Sequence, residues 1–334
     1  MKIGIIGDIH FSEYSSILRS RGDKYSTRLE NCIDSISNAE LITKNCDLIV
    51  YLGDFFDKST LNASEITALS EIEWNDIPHI FLVGNHEMGI NNLFLSSAHI
   101  FNSIKSYRVI DQPVSRIFDV TEVCFLPYIL EEDRKDSIND YFGARAAKKR
   151  IIFSHNDIAG IQLGQFISKA GFKINDIEAN CDLFINGHLH NGSKLTDKII
   201  NVGNLTGQNF SEDGFKYDHV ILILDTDTMI SEVYENYYAI NFYKVENIED
   251  IEKIDKTAVV TVKTTEENVS RAKELIENNK NIIASRVIID YTKGREKRDI
   301  KVLSVDHIDE FRKFVLSEIG DTDLIREELE IING

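Results

Sequence analysis

The sequence predicts an α/β fold, with a largely parallel sheet flanked by helices and a smaller α+β domain behind it. Three observations carry this. Short β-rich apolar runs bounded by Gly, Asp or Asn recur through the first two thirds of the chain, and stretches of three-to-four-residue apolar period lie between the early ones. Past about residue 237 this punctuation gives way to a compact strand, helix, strand pattern.

The apolar runs are Ile3 to Ile6, Leu48 to Leu52, His79 to Val83, Val123 to Leu126, Ile151 to Phe153, Leu183 to Ile185 and Val220 to Leu224, each expected as a buried strand. Between the first two, Leu29, Cys32, Ile33, Ile36, Ala39 and Ile42 form the stripe of a helix over Ser26 to Lys44, completing a β-α-β unit. Thr60 to Glu73, with Leu61, Ile66, Leu69 and Ile72 inward, predicts a second helix. Ligands of such sheets gather beyond the carboxyl ends of the strands. In the second domain, strands are expected at Val259 to Val262 and Ile282 to Tyr291. They flank a helix over Glu266 to Asn279, capped by Thr264 or Thr265, with Val269, Ala272 and Ile276 inward. Ile308, Phe311, Val315 and Ile319 recur at helical spacing near the end, a stripe read either as core or as a docking face for a partner. The domains are therefore set at 1–237, 238–303 and 304–334.

With 334 residues, 43% hydrophobic and 28% charged, the chain has the composition of a two-domain globular protein, which excludes collagen-like and disordered classes. Its 37 basic and 55 acidic residues give a formal charge of -18, a field that opposes non-specific nucleic-acid binding. The four cysteines form no CxxC pair and are expected as buried free thiols in a reducing compartment. The short apolar start MKIGIIGDIHF is no signal sequence and no run reaches a membrane span, so a cytoplasmic protein is expected, in the host cytoplasm if phage-encoded.

Five strand ends deliver ligand-type residues: Gly7-Asp8-Ile9-His10, Gly53-Asp54, Gly84-Asn85-His86-Glu87, His155 and Gly187-His188-Leu189-His190. Any one of these would pass as a turn or a cap; five together point to metal. Two carboxylates, an amide oxygen and four imidazoles make a mixed O/N site for a pair of divalent ions, with Asp54 as the natural bridge and Asp8 with His10 projecting from one extended segment. Mn²⁺ is the ion expected, with Mg²⁺, Fe²⁺ and Zn²⁺ as alternatives. Two such ions activate water and clamp a phosphate oxygen for in-line displacement.

The ordered series GDIH, GD, GNHE, H and GHLH resembles the calcineurin-like metallophosphoesterases over roughly residues 1–235. That resemblance implies a β-sandwich flanked by helices. It also implies one ion on Asp8, His10, Asp54 and His190, a second on Asp54, Asn85, His155 and His188, and His86 as the non-ligand catalytic histidine. Gly53-Asp54-Phe55-Phe56-Asp57 and the segment Gly203-Asn204-Leu205-Thr206 with Glu212-Asp213-Gly214-Phe215 resemble the SbcD-type repair nucleases, most of all phage recombination endonuclease subunits. The usual Gly-Ser/Thr-Pro is here Gly203-Asn204-Leu205. Asp57 stands where archaeal and eukaryotic relatives carry a second active-site histidine, whose role therefore does not transfer.

This narrower resemblance implies double-strand exonuclease and single-strand endonuclease activity on DNA, a DNA-capping second domain, a homodimer, and an SbcC-type, SMC-like ABC ATPase partner docked near the C-terminus. The chain itself has no Walker A motif. Expected DNA contacts are Arg19, Arg21, Lys24 and Arg28 after the first motif, and Lys293, Arg295, Lys297 and Arg298. A third basic cluster, Arg145, Lys148, Lys149 and Arg150, is also present. The competing readings are a phosphoesterase for small phosphodiesters or cyclic nucleotides, and a DNA-tethering scaffold.

Overall fold

The structure, a computed structural model, describes residues 1–15, 18, 24–163 and 166–291. Residues 1–288 form one compact unit; of the second unit, 289–334, only residues 289–291 are described. Arg19, Arg21, Lys293, Arg295, Lys297 and Arg298, and the stripe Ile308, Phe311, Val315 and Ile319, lie outside the described residues.

In chain order the main elements are β1 (Lys2–Ile6), α1 (Thr27–Thr43), β2 (Leu48–Tyr51), α2 (Ala63–Ser70), β3 (His79–Leu82), β4 (Tyr107–Ile110), β5 (Val114–Phe118), β6 (Thr121–Leu126) and β7 (Lys149–Ser154). There follow α3 (Ile174–Asn180), β8 (Leu183–Asn186), β9 (Ser193–Lys194), β10 (Ile199–Asn201), β11 (Val220–Asp225) and β12 (Ile230–Glu235). The strands make two six-stranded sheets, ordered β12-β11-β1-β2-β3-β4 and β9-β10-β8-β7-β6-β5. Pairing is parallel through the middle of each, β1 to β4 in one and β10, β8, β7 and β6 in the other, and antiparallel at β11, β12, β9 and β5.

The two sheets pack face to face. Ile3, Ile5 and Val50 of the first meet Val123, Phe125, Ile151, Phe153 and Ile185 of the second in one buried cluster. Both faces of each central strand are covered, which is why these strands are uninterrupted apolar runs. Leu29, Cys32, Ile36 and Ala39 of α1 close the outer face of the first sheet beside Tyr51, Phe55 and Phe81. Ile177 of α3 and Phe172 close that of the second over Cys124, Ile152 and Phe184. The architecture is a mixed α/β sandwich flanked by helices, and all four cysteines are buried and free. Among the described residues no helix is long and apolar enough to cross a membrane.

Several expectations need correction. The helix expected over Thr60 to Glu73 spans Ala63–Ser70, because Asn62 starts it with a reciprocal capping box: its side chain accepts from Glu65 N at 2.9 Å and Glu65 accepts from Asn62 N at 2.9 Å. Leu61 and Ile72 therefore lie outside it, and Ile66 is exposed rather than inward. The sequence pattern did not reveal β4, β5 and β12, whose alternating patterns belong to sheet edges, or β10, which is only three residues long.

A three-stranded sheet follows, of β13 (Asn241–Val245), β14 (Ala258–Thr264) and β15 (Ile282–Ile289), with β14 central. β13 was also unforeseen. The helix α4 (Val269–Asn278) follows a 3-10 turn at Glu266–Asn268, and Thr265 at that turn makes no side-chain cap hydrogen bond. Ala272 and Leu275 are its buried residues, packed with Val260, Val262 and Ile251.

Candidate metal centre

The two turns that follow β1 and β2 are zipped together. Ile9 N and His10 N both donate to Asp54 O (3.1 and 2.9 Å), Phe11 N donates to Phe55 O at 2.7 Å, and Phe11 and Phe56 form a parallel bridge. Buried Phe11, Phe55 and Phe56 anchor this double turn in the aromatic core. His10, Asp54 and His188 all have positive φ (51°, 46° and 70°). Left-handed backbone at non-glycine positions is strained, and it persists where surrounding contacts over-determine it. His10 is thus re-aimed by a left-handed residue, not presented along the extended segment expected for Asp8 and His10.

Close approach also dictates two glycines. A Cβ on Gly84 would meet Asp54 Oδ1 at 2.1 Å, and one on Gly187 would meet Asp8 Oδ1 at 2.6 Å. Each carboxylate is in turn held by a backbone donor from the opposing turn: His86 N donates to Asp54 Oδ1 (2.8 Å) and His188 N to Asp8 Oδ1 (3.0 Å).

All seven residues expected as ligands converge beyond the carboxyl ends of β1, β2, β3, β7 and β8. Asp8, His10 and His190 form one group whose ligand atoms lie within 4.8 Å of one another, and Asp54, His155 and His188 form another. Asn85 Oδ1 is 3.2 Å from His155 Nε2, which is itself 3.0 Å from Asp54 Oδ2. His10 Nε2 faces His190 Nε2 at 3.1 Å and lies 4.0 Å from Asp54 Oδ2, so Asp54 stands between the two groups as a bridge must.

His86 is the exposed member, its ring packed edge-on against His10 with centroids 4.7 Å apart. A third group joins His86 with His10 and Asp54 within the same 4.8 Å limit.

The donor set fits metal. Asp8 Oδ2 is buried with no hydrogen-bond partner, an oxygen that only a cation or unseen water can satisfy. The imidazoles also have acceptors behind them: His155 Nδ1 is 2.8 Å from Leu52 O, while His10 Nδ1 faces Asp57 Oδ1 at 3.2 Å and His190 Nδ1 faces Glu212 Oε1 at 3.4 Å, neither with hydrogen-bond geometry. Such contacts leave Nε2 of each ring for the metal. His188 instead has Nε2 3.1 Å from Asp157 Oδ1.

Burial pushes the His10 imidazole below its ordinary value, which favours the neutral form that a metal needs. For His155 burial acts the same way but the Asp54 and Asp8 carboxylates win, raising it to about 9. Burial would lift the Asp54 carboxyl, yet His155 holds it well below the carboxylate range. Glu87 goes the other way: burial, with Asp54 nearby, pushes it up to about 8.

Glu87, Asp57, Asp157 and Glu212 are the supporting residues that sequence reasoning left without a role. Glu87 accepts from Gly84 N (2.8 Å) and Phe56 N (3.1 Å), tying the two turns together. Arg28, expected as a DNA contact, is buried instead. Its guanidinium donates to the carbonyls of Gly207 (2.7 Å), Ile9 (2.8 Å) and His10 (3.1 Å), which leaves it no phosphate to meet. Lys24 pairs with Glu71. Within the third basic cluster, Arg150 is buried on Glu122 at 2.8 Å and Arg145 pairs with Asp182 at 2.9 Å.

The family model for calcineurin-like phosphoesterases matches residues 1–192. The chain belongs to that family. Members of that family are metal-dependent hydrolases of phosphoesters that bind two divalent ions, in keeping with the two Asp/His groups of this chain. It is similar to "Putative phosphoesterase 078R" of Invertebrate iridescent virus 3, 24% identical over 139 residues that make up 40% of this chain and 39% of that relative. It is also similar to "Putative phosphoesterase 244L" of Invertebrate iridescent virus 6, 26% identical over 242 residues, 69% of this chain and 78% of the relative. The match thus spans about two fifths of the first relative's length. Among solved structures, that of TT1561 of Thermus thermophilus aligns with TM-score 0.37 and 12% identity over 70% of this chain and 98% of the other.

Proposed function

We propose that this phosphoesterase is a two-metal DNA phosphodiesterase, the nuclease subunit of an SbcCD-like recombination and repair complex, with double-strand exonuclease and single-strand endonuclease activity. The observation that carries the reading is the placement of the segment Gly203 to Phe215, one of the stretches that resembles those nucleases. Leu205 N donates to Asp8 O at 2.7 Å, Thr206 Oγ1 to Ile9 O at 3.0 Å, and Glu212 backs His190. The segment is built into the wall of the site despite lacking the usual proline.

In this reading Asp8, His10, Asp54 and His190 hold one ion and Asp54, Asn85, His155 and His188 the other, Mn²⁺ in preference. Bound there, the ions supply water activation and neutralise charge on the phosphate oxygens. The chain's own residues do the rest. His86, on the open side with Nδ1 3.8 Å from Asp57 Oδ1, is the residue that would hold a proton for the leaving oxygen. Asp57 also holds the His10 ring, and Gln208 Nε2 donates to the same Asp57 oxygen at 3.1 Å.

The same proposal assigns residues 1–237 to the nuclease domain, 238–303 to DNA capping and 304–334 to docking an SMC-like ATPase, with the nuclease working as a homodimer in the cytoplasm. The deciding experiment is a Mn²⁺ assay on duplex ends and single-stranded circles, run beside bis-p-nitrophenyl phosphate. Cleavage of DNA is expected; hydrolysis of the small ester alone would overturn the nuclease reading in favour of a small-phosphodiester enzyme.

A further inference from the structure

Of the described members of the basic clusters, Lys24, Arg28, Arg145 and Arg150 are already engaged. Lys105, Arg108 and Arg116 are not. All three are exposed and line one groove of about 480 Å³, which runs along the edge where β4 of the first sheet and β5 of the second lie side by side. None has a carboxylate within ion-pair distance among the described residues, and the nearest recorded partner of Arg116 is the neighbouring Ser115 O at 3.5 Å. The one carboxylate among the described lining residues, Asp111, faces His99, with Oδ2 to Nε2 at 3.4 Å.

A chain of charge -18 offers carboxylates almost everywhere, so three uncompensated cations in one groove mark a local reversal of sign. The groove also joins the catalytic wall. Val83 N donates to the carbonyl of its lining residue Ile110 at 3.0 Å, and Val83 immediately precedes the Gly84-Asn85-His86-Glu87 turn. Along β4 the cations run back from that end, Arg108 in register with Ile80 and Lys105 preceding the strand, so only a polymer several nucleotides long can lie on them and also reach the metal centre, whereas a small ester at the centre has no need of them.

We propose that this groove seats the phosphodiester backbone of the nucleic acid several nucleotides away from the scissile bond, with Lys105, Arg108 and Arg116 each meeting a phosphate. The inference rests on the nuclease reading above and gives it a substrate path different from the basic clusters the sequence suggested.

The test uses the full chain and a labelled DNA duplex, with binding followed by anisotropy over a salt series and cleavage followed with Mn²⁺. The variant is the triple charge reversal Lys105→Glu, Arg108→Glu, Arg116→Glu, with Lys105→Gln, Arg108→Gln, Arg116→Gln as a milder second. The triple reversal should lower the slope of log affinity against log salt by about three. It should also weaken binding at least about tenfold and slow DNA cleavage in parallel, while hydrolysis of bis-p-nitrophenyl phosphate and the melting temperature stay at wild-type values. Wild-type DNA cleavage with unchanged binding and slope in both variants would overturn the groove alone. A wild type that hydrolyses the small ester but neither binds nor cleaves DNA would overturn the nuclease reading, and the groove with it.

Discussion

Glu212 Oε1 lies 3.4 Å from His190 Nδ1 while accepting from Asn204 Nδ2 at 2.8 Å and Gln208 N at 3.0 Å. One buried carboxylate thus ties down the loop that wraps the site and places its negative charge behind the ring of a candidate ligand. Through Gln208 and Asp57 its hold extends to His10, whose Nε2 faces that of His190. Glu212→Gln keeps the volume and an oxygen for both the loop and the imidazole, but removes the negative charge behind the ring. The variant is expected to keep its melting temperature and to bind the first of two metal ions about 10- to 100-fold more weakly, read by calorimetric titration. Unchanged affinity would show that Glu212 serves the loop only.

Asp8 Oδ2 is buried with no hydrogen-bond partner, and burying such an oxygen without compensation is costly. In Asp8→Ala metal content by elemental analysis should fall from two ions per chain to one, and metal-dependent hydrolysis of any phosphoester should be lost. Two ions retained would remove Asp8 from the ligand set.

The parts of this site that were legible in the sequence are those set by local chain geometry. A glycine beside an Asp, Asn or His at the end of an apolar run marks a turn at a strand's carboxyl edge, so Asp8, Asp54, Asn85 and His188 could be placed from the sequence, and His155 from its position just past the run Ile151 to Phe153. Long-range partnership leaves no such trace. Nothing in the spacing links Glu212 to His190 or Arg28 to Gly207, because those contacts are created when β10, β11 and α1 close on the site. Arg28 shows the hazard most clearly: beside Lys24 it looks like part of a basic surface, yet the fold buries it under the carbonyls of residues 9 and 10. Edge strands such as β12, with Ile230 and Val233 exposed, were missed because their pattern lacks the continuous apolar run of a strand buried on both faces.

His86→Ala separates catalysis from metal binding. His86 is exposed and lies within reach of both His10 and Asp54, so the geometry alone permits a ligand as well as a proton carrier. A proton carrier predicts two ions still bound and a rate on DNA reduced about 10²- to 10⁴-fold. Loss of one ion in the variant would make His86 a ligand instead.

The buried pair Arg150 and Glu122, Nε to Oε2 at 2.8 Å, gives a stability prediction independent of the metal centre. Burial would raise the Glu122 carboxyl, but hydrogen bonds from Arg150 and from Ala146 N hold it below its ordinary value. An acid whose folded value is depressed adds stability that is complete above its unfolded value, about 4.3, and that is lost as pH falls through the folded value. The buried Arg150 guanidinium also donates to Asn139 Oδ1 at 2.8 Å, so removing its counter-charge leaves a buried cation. Glu122→Gln should therefore cost about 3–5 kcal/mol at pH 7 in urea unfolding. Because only the wild type releases this stabilisation on acidification, the gap between the two proteins should narrow steadily below about pH 4. A gap that stays constant down to about pH 2.5 would mean that the charge of Glu122 is not what holds Arg150 in the core.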